Sequence, residues 1–167
     1  MSNLLERCLS FALQAHEGQV DKAGLPYILH PIHVMMAIKK AYNDHNEELL
    51  CVALLHDVME DSPATVNDLK SIQGMTQRVI ESLVLLTRKK GQSYKDYIQE
   101  LIDSKNWYAL MVKRYDLLHN ADLTRLYNTK ANPYSHPSSE DVKRYEKYIR
   151  ALKQINAELG IKEYSNV

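Results

Sequence analysis

The chain of 167 residues has 45% hydrophobic residues, 25% charged residues and a formal net charge of zero, which is the balance of one globular domain around a single core. It offers no global basic field for nucleic acid or an anionic membrane, and no apolar run nears the roughly 20 residues of a membrane span. Glu6 and Arg7 interrupt the early apolar run, which therefore does not read as a signal peptide, and Cys8 and Cys51 read as buried free thiols, so a cytoplasmic protein is expected.

Leu4 to His16 carries a broad apolar stripe at helical spacing, with Ser2 or Asn3 as cap and Gly18 as stop. His16 on its last turn reads either as a histidine favoured by the helix dipole or as a site wall. From Gly18 to Leu29 the periodicity fails, and Gly24 and Pro26 mark a loop. Pro31 fits the first turn of the next helix, where its missing N–H costs nothing, and holds His30 at the helix entrance. His33 reads as structural, and His45 as an exposed loop residue. Asn46, followed by Glu47 and Glu48, caps a helix apolar nearly all round from Leu49 to Leu55, so that helix is expected to be central and buried.

This helix runs into His56-Asp57-Val58-Met59-Glu60-Asp61. Continued helically, His56 and Glu60 share a face, as do Asp57 and Glu60, and Asp61 lies four residues after Asp57. Three carboxylates and an imidazole so close repel unless a cation sits among them, although a charged helix end in solvent is the plainer reading. Thr65 to Asp68 reads as a capping box with aspartate in place of glutamate, and Met75 to Arg88 as an amphipathic helix. Lys89-Lys90-Gly91 is a basic turn, solvated or in contact with phosphate. Helices follow over Tyr94 to Ile102 and Trp107 to Leu126. Asp116 lies on the core stripe of the second, which demands a partner: either Lys113 or Arg114, or a metal ion. Tyr127 to Ser139 is a loop long enough to serve as a lid, and Ser139 caps a last helix with Val142, Tyr145, Ile149, Leu152 and Ile155 on its stripe. No strand is predicted. The expectation is an all-α bundle of about seven or eight helices, with residues 1–167 as one domain. Eleven tyrosines against one phenylalanine suit groove walls and interfaces, so a homo-oligomer stays open.

His30, His56, Asp57 and Asp116 together offer two imidazoles and two carboxylates, a set suited to a divalent ion such as Mn²⁺ or Fe²⁺. Such an ion promotes hydrolysis, with Glu60 and Asp61 beside the water as base and orienter.

Four blocks then carry a resemblance: Ala15-His16-x-Gly18-Gln19, Lys22-x-Gly24-x-Pro26-Tyr27-Ile28-x-His30-Pro31, Ala53-Leu54-Leu55-His56-Asp57-Val58-x-Glu60-Asp61 and Val112-Lys113-x-x-Asp116-x-Leu118-His119-Asn120. In type and order they resemble the HD-domain metal phosphohydrolases, and more narrowly the (p)ppGpp hydrolase domain of RelA/SpoT proteins and the stand-alone small alarmone hydrolases. The resemblance implies metal ligation, most simply of Mn²⁺, by His30, His56, Asp57 and Asp116. It implies catalytic roles for Glu60 and Asp61, and contact with a small-molecule nucleotide by Lys22, Asn120 and Tyr145. It also implies removal of pyrophosphate from the 3′ position of (p)ppGpp, and no synthesis. The alternatives are another nucleotide phosphate ester as substrate, or a non-catalytic nucleotide-sensing module. Two positions depart from the pattern. Asp21 and Asp141 stand where that family commonly has arginine, and a reversed sign there opposes a polyphosphate unless Lys89, Lys90, Lys95 or Arg125 compensates.

Overall fold

The computed structural model describes residues 3–42, 46–122 and 138–162. Over these the chain is all-helical, in nine segments of which one is a single turn: α1 (Leu4–Ala15), α2 (Leu29–Tyr42), α3 (Glu47–Leu55), α4 (Val58–Asp61), α5 (Val66–Ser71), α6 (Gln77–Leu86), α7 (Tyr94–Asp103), α8 (Trp107–Asn120) and α9 (Ser139–Glu158). The only β feature among the described residues is an isolated bridge between Val20 and Pro26. None of these helices is long and apolar enough to cross a membrane. The readings of His45, Arg125 and most of the 127–139 lid fall outside the described residues.

Side-chain caps set most helix starts. Asn3 with Glu6, and Thr65 with Asp68, form reciprocal capping boxes, each satisfying two backbone N–H groups that the helix itself cannot. Asn46, Thr76, Ser93 and Asn106 each accept an N–H of the first turn of α3, α6, α7 and α8. In α9 the cap is Ser138, not Ser139, because Ser138 and Asp141 complete a capping box one residue earlier. Helix α2 starts at Leu29 rather than Ile32, which puts His30 inside the first turn. Pro31 still sits where no N–H is required.

Every residue from Leu49 to Leu55 is buried. Helices α1, α2, α6 and α8 pack around this central rod, and α8 also meets α7 and α9. Cys8 and Cys51 are buried free thiols. One expectation fails in an instructive way: His56 and Asp57 do not continue the helix. The helical ladder is interrupted there although both backbones stay right-handed, with Asp57 at φ −99°, ψ −7°, and the Asp57 carbonyl begins a new turn by accepting from Glu60 N and Asp61 N. The break leaves His56 buried and Asp57 partly buried, while Glu60 and Asp61 are exposed.

Leu54, 1% exposed at the middle of the central rod, provides a test of this architecture. Leu54→Ala should lower unfolding stability by about 2–5 kcal/mol, read by urea denaturation, because the packed neighbours cannot collapse into the vacated volume.

Candidate metal centre and active site

Three helix ends deliver the site: the first turn of α2 brings His30, the end of α3 brings His56 and Asp57, and the last turns of α8 bring Asp116. His30 Nε2 lies 3.4 Å from Asp57 Oδ2 and 3.2 Å from Asp116 Oδ1. His56 Nε2 lies 3.1 Å from Asp57 Oδ2 and 3.9 Å from Asp116 Oδ1. His30, His56 and Asp116 are buried, and their ligand atoms lie within 4.8 Å of one another, close enough to hold a metal ion.

Two details fit a metal ion. His56 Nδ1 donates to Ala53 O at 2.7 Å, which fixes the tautomer and leaves Nε2 facing the cluster. That Nε2 is buried with no aligned hydrogen-bond partner and faces the carboxylates of Asp57 and Asp116, a costly state unless a proton or a metal ion is held there. His30 is oriented by His119, whose Nδ1 stands 2.6 Å from His30 Nδ1. The His119 ring stacks on His30, and the exposed His33 stacks on its other side at 4.1 Å between centroids. His33 therefore packs against the residue that orients His30.

Both readings of Asp116 hold together. Lys113 pairs with Oδ2 at 2.7 Å, while Oδ1 faces the histidines and accepts from Asn120 Nδ2. Burial raises the pKa of Asp116, but Lys113 and the two histidines outweigh it and hold the carboxyl well below its usual range. Burial likewise lowers that of His56, but the charge of Asp57 and the contacts to Asp116 push it up to about 10.

The cluster lies where two cavities meet. One, of about 270 Å³, includes Lys22, His30, Asn120, Arg144 and Tyr145 in its lining. The other, of about 240 Å³, includes Asp57, Glu60, Asp61, Asp116 and Lys147. Asn120, Tyr27 and Tyr148 line both. Glu60 Oε2 accepts from Arg88 N at 3.4 Å. Asp61 is held by its main chain, whose carbonyl accepts from Gln19 Nε2 at 2.7 Å, and Gln19 Oε1 in turn meets His16 Nδ1. Burial and the neighbouring Asp57 charge raise the pKa of the Asp61 carboxyl. His16 is buried at the C-terminal end of α1 and lines neither cavity, meeting the site through Gln19.

The chain can now be compared with known proteins. No family model matches it. It is 32% identical over 123 residues to the bifunctional (p)ppGpp synthase/hydrolase SpoT of Escherichia coli K12, covering 70% of this chain and 17% of that protein. It is 34% identical over 116 residues to the guanosine-3′,5′-bis(diphosphate) 3′-pyrophosphohydrolase of Haemophilus influenzae, covering 65% and 17%. Its fold matches the solved structure of a metazoan ortholog of SpoT that hydrolyses ppGpp and plays a role in starvation responses, with a TM-score of 0.65 and 22% identity over 97% of this chain and 98% of that one. The chain is a SpoT/Rsh hydrolase-like domain. It spans 17% of the length of these bacterial relatives.

In this SpoT/Rsh-like domain the two reversed charges have local tasks. Asp21 Oδ1 accepts from Ala23 N and Leu25 N, folding the loop that presents Lys22. Asp141 caps α9 and pairs with Arg144. Lys89 pairs with Glu100 and Lys95 is exposed. Besides Lys22 and Lys113, the cations that line the cavities are Arg88, Arg144 and Lys147, and none of these three was singled out from sequence. Tyr27 was also missed: its hydroxyl donates to Asp57 Oδ2 at 2.6 Å. It lies within a matched block, but a tyrosine has no ligand signature of its own. Val142 and Tyr145 leave the core stripe of α9 for the surface, at 41% and 37% exposure.

A pH experiment follows from His56. A metal ligand must present a bare nitrogen. The apo imidazole keeps its proton until pH passes about 10, so loading at neutral pH expels it. Mn²⁺ affinity should rise with pH and level off only as pH nears about 10. Calorimetry in buffers of different ionisation enthalpy should count the released proton, and Asp116→Ala should abolish both binding and release.

Proposed function

We propose that this domain is a metal-dependent phosphohydrolase acting on (p)ppGpp, removing its 3′ diphosphate, with residues 1–167 working as one HD-type domain. The convergence of His30, His56, Asp57 and Asp116 between two cavities, in a chain with SpoT-like sequence and fold, carries this reading. These four residues hold the ion, and Mn²⁺ suits two imidazoles with two carboxylates. A divalent ion there makes water nucleophilic at neutral pH and withdraws charge from the phosphoryl group.

The chain's own residues do the rest. Asp61, whose raised carboxyl pKa moves it toward neutrality, takes the proton of the attacking water, and Glu60 on the same wall orients that water. As water adds to phosphorus, the bond to the ribose 3′ oxygen breaks, the proton taken by Asp61 passes to that oxygen, and GDP and pyrophosphate are released. Asn120 steadies Asp116 and faces both cavities. Lys22 and Tyr145 line the cleft assigned to the nucleotide, and the ordered Asp21 loop keeps Lys22 at its rim.

The purified, Mn²⁺-loaded protein should convert ppGpp to GDP and pyrophosphate. His56→Ala should lose metal and activity together. Glu60→Gln and Asp61→Asn should keep the metal and lose about 10²- to 10⁴-fold in kcat, the usual range for a removed proton-transfer group. Inertness toward ppGpp alongside turnover of another nucleotide phosphate ester would reject the substrate and keep the site.

A further inference from the structure

One wall of the second cavity has no part in the chemistry above. Lys147 of α9 lines it with its ammonium 4.4 Å from the centre of the Tyr94 ring and 5.0 Å from that of Tyr148. Two aromatic faces hold the cation by their quadrupoles and limit its rotation. Among the described residues no carboxylate pairs with Lys147, nor with the side chain of Arg88 on the same wall, whose backbone N–H alone is engaged. The Tyr94 hydroxyl is buried without a hydrogen-bond partner.

Three neighbouring cations differ: Lys113 is neutralised by Asp116, Arg144 by Asp141, and Lys89 by Glu100. Among the described residues Lys147 and Arg88 have no such carboxylate partner, and burial, then the charges of Arg88, Arg144, Lys113 and Lys22, lower the pKa of Lys147. Holding cations together in a partly buried cavity costs free energy that an anion would recover. Asp57, Glu60, Asp61 and Asp116 line the cavity together with the two cations, and Arg88 N donates to Glu60. On the phosphohydrolase reading a phosphoryl group under attack sits at the metal centre, and a second phosphate joined to it has these cations in the same cavity to meet.

We propose that Lys147 and Arg88, with the Tyr94 hydroxyl, form a subsite for the distal phosphate of the diphosphate group that is transferred to water. The inference rests on the phosphohydrolase reading of the site and sharpens it: the enzyme is built to expel pyrophosphate rather than phosphate. The two cations also offset the repulsion that Glu60 and Asp61 exert on so charged a group.

The Mn²⁺-loaded chain is titrated calorimetrically with inorganic pyrophosphate and, separately, with inorganic phosphate. Lys147→Met and Arg88→Gln should each weaken pyrophosphate binding about tenfold, the size of one charge-assisted contact, and shift phosphate binding by less than about twofold. Lys147→Arg should restore most of the loss. Unchanged Mn²⁺ affinity in each variant certifies the fold. Equal weakening of both anions, or no weakening of either, overturns the subsite. Binding is read without turnover, so the two readings can fail separately. A chain inert toward ppGpp but with a Lys147-dependent preference for pyrophosphate keeps the subsite and loses the proposed substrate. A chain that hydrolyses ppGpp while Lys147→Met leaves pyrophosphate affinity intact does the reverse.

Discussion

The burial of Asp116 is the constraint from which the rest of the site follows. A carboxylate 3% exposed on a core helix is tolerable as a charge only if each of its oxygens is satisfied. One oxygen takes Lys113 from the preceding turn, and the other takes Asn120 from the next turn and faces His30 and His56. Helix α8 supplies the first two partners by its own periodicity. The histidines require the ends of α2 and α3 to meet it. The convergence of three helix ends on one carboxylate is thus a condition of the packing as well as of the chemistry.

The folding of the chain makes that convergence cheap. The all-apolar α3 fills the middle of the bundle, so whatever follows it emerges inside the protein. The helical ladder stops at Leu55, and the next two residues are the polar ones. Pro31 costs α2 nothing in its first turn, and His30 keeps a helical backbone beside it.

The helices were legible because their signals are local: caps at Asn3, Asn46 and Thr65, apolar spacing, and breaks at glycine and proline. The buried cluster of His30, His56 and Asp116 was legible because imidazoles and carboxylates in apolar surroundings need an explanation, and because the blocks resemble a known family. The turn at His56-Asp57 was not legible, since nothing in the residue types forbids a continuous helix there. The cationic wall was also hidden. Lys147 and Arg88 lie 59 positions apart in segments that read as solvated surface, and only the packing of α9 beside α7 brings Lys147 over Tyr94. The sign reversals at Asp21 and Asp141 looked adverse because a sequence shows a charge without its partner. Once the loop bonds of Asp21 and the Arg144 pair of Asp141 are seen, most of that objection disappears.

The hydrogen bond from Tyr27 to Asp57 joins the Lys22 loop to the metal centre. The same loop is closed upon itself by Asp21 N donating to Leu25 O and Tyr27 N to Gln19 O. On the proposed function, ion and nucleotide become coupled ligands of one scaffold. Whatever steadies Tyr27 would then tighten both, and by thermodynamic reciprocity the factor by which the ion improves nucleotide binding is the factor by which the nucleotide retains the ion. A domain built this way would hold its metal most firmly while occupied by substrate, and exchange it most readily when idle.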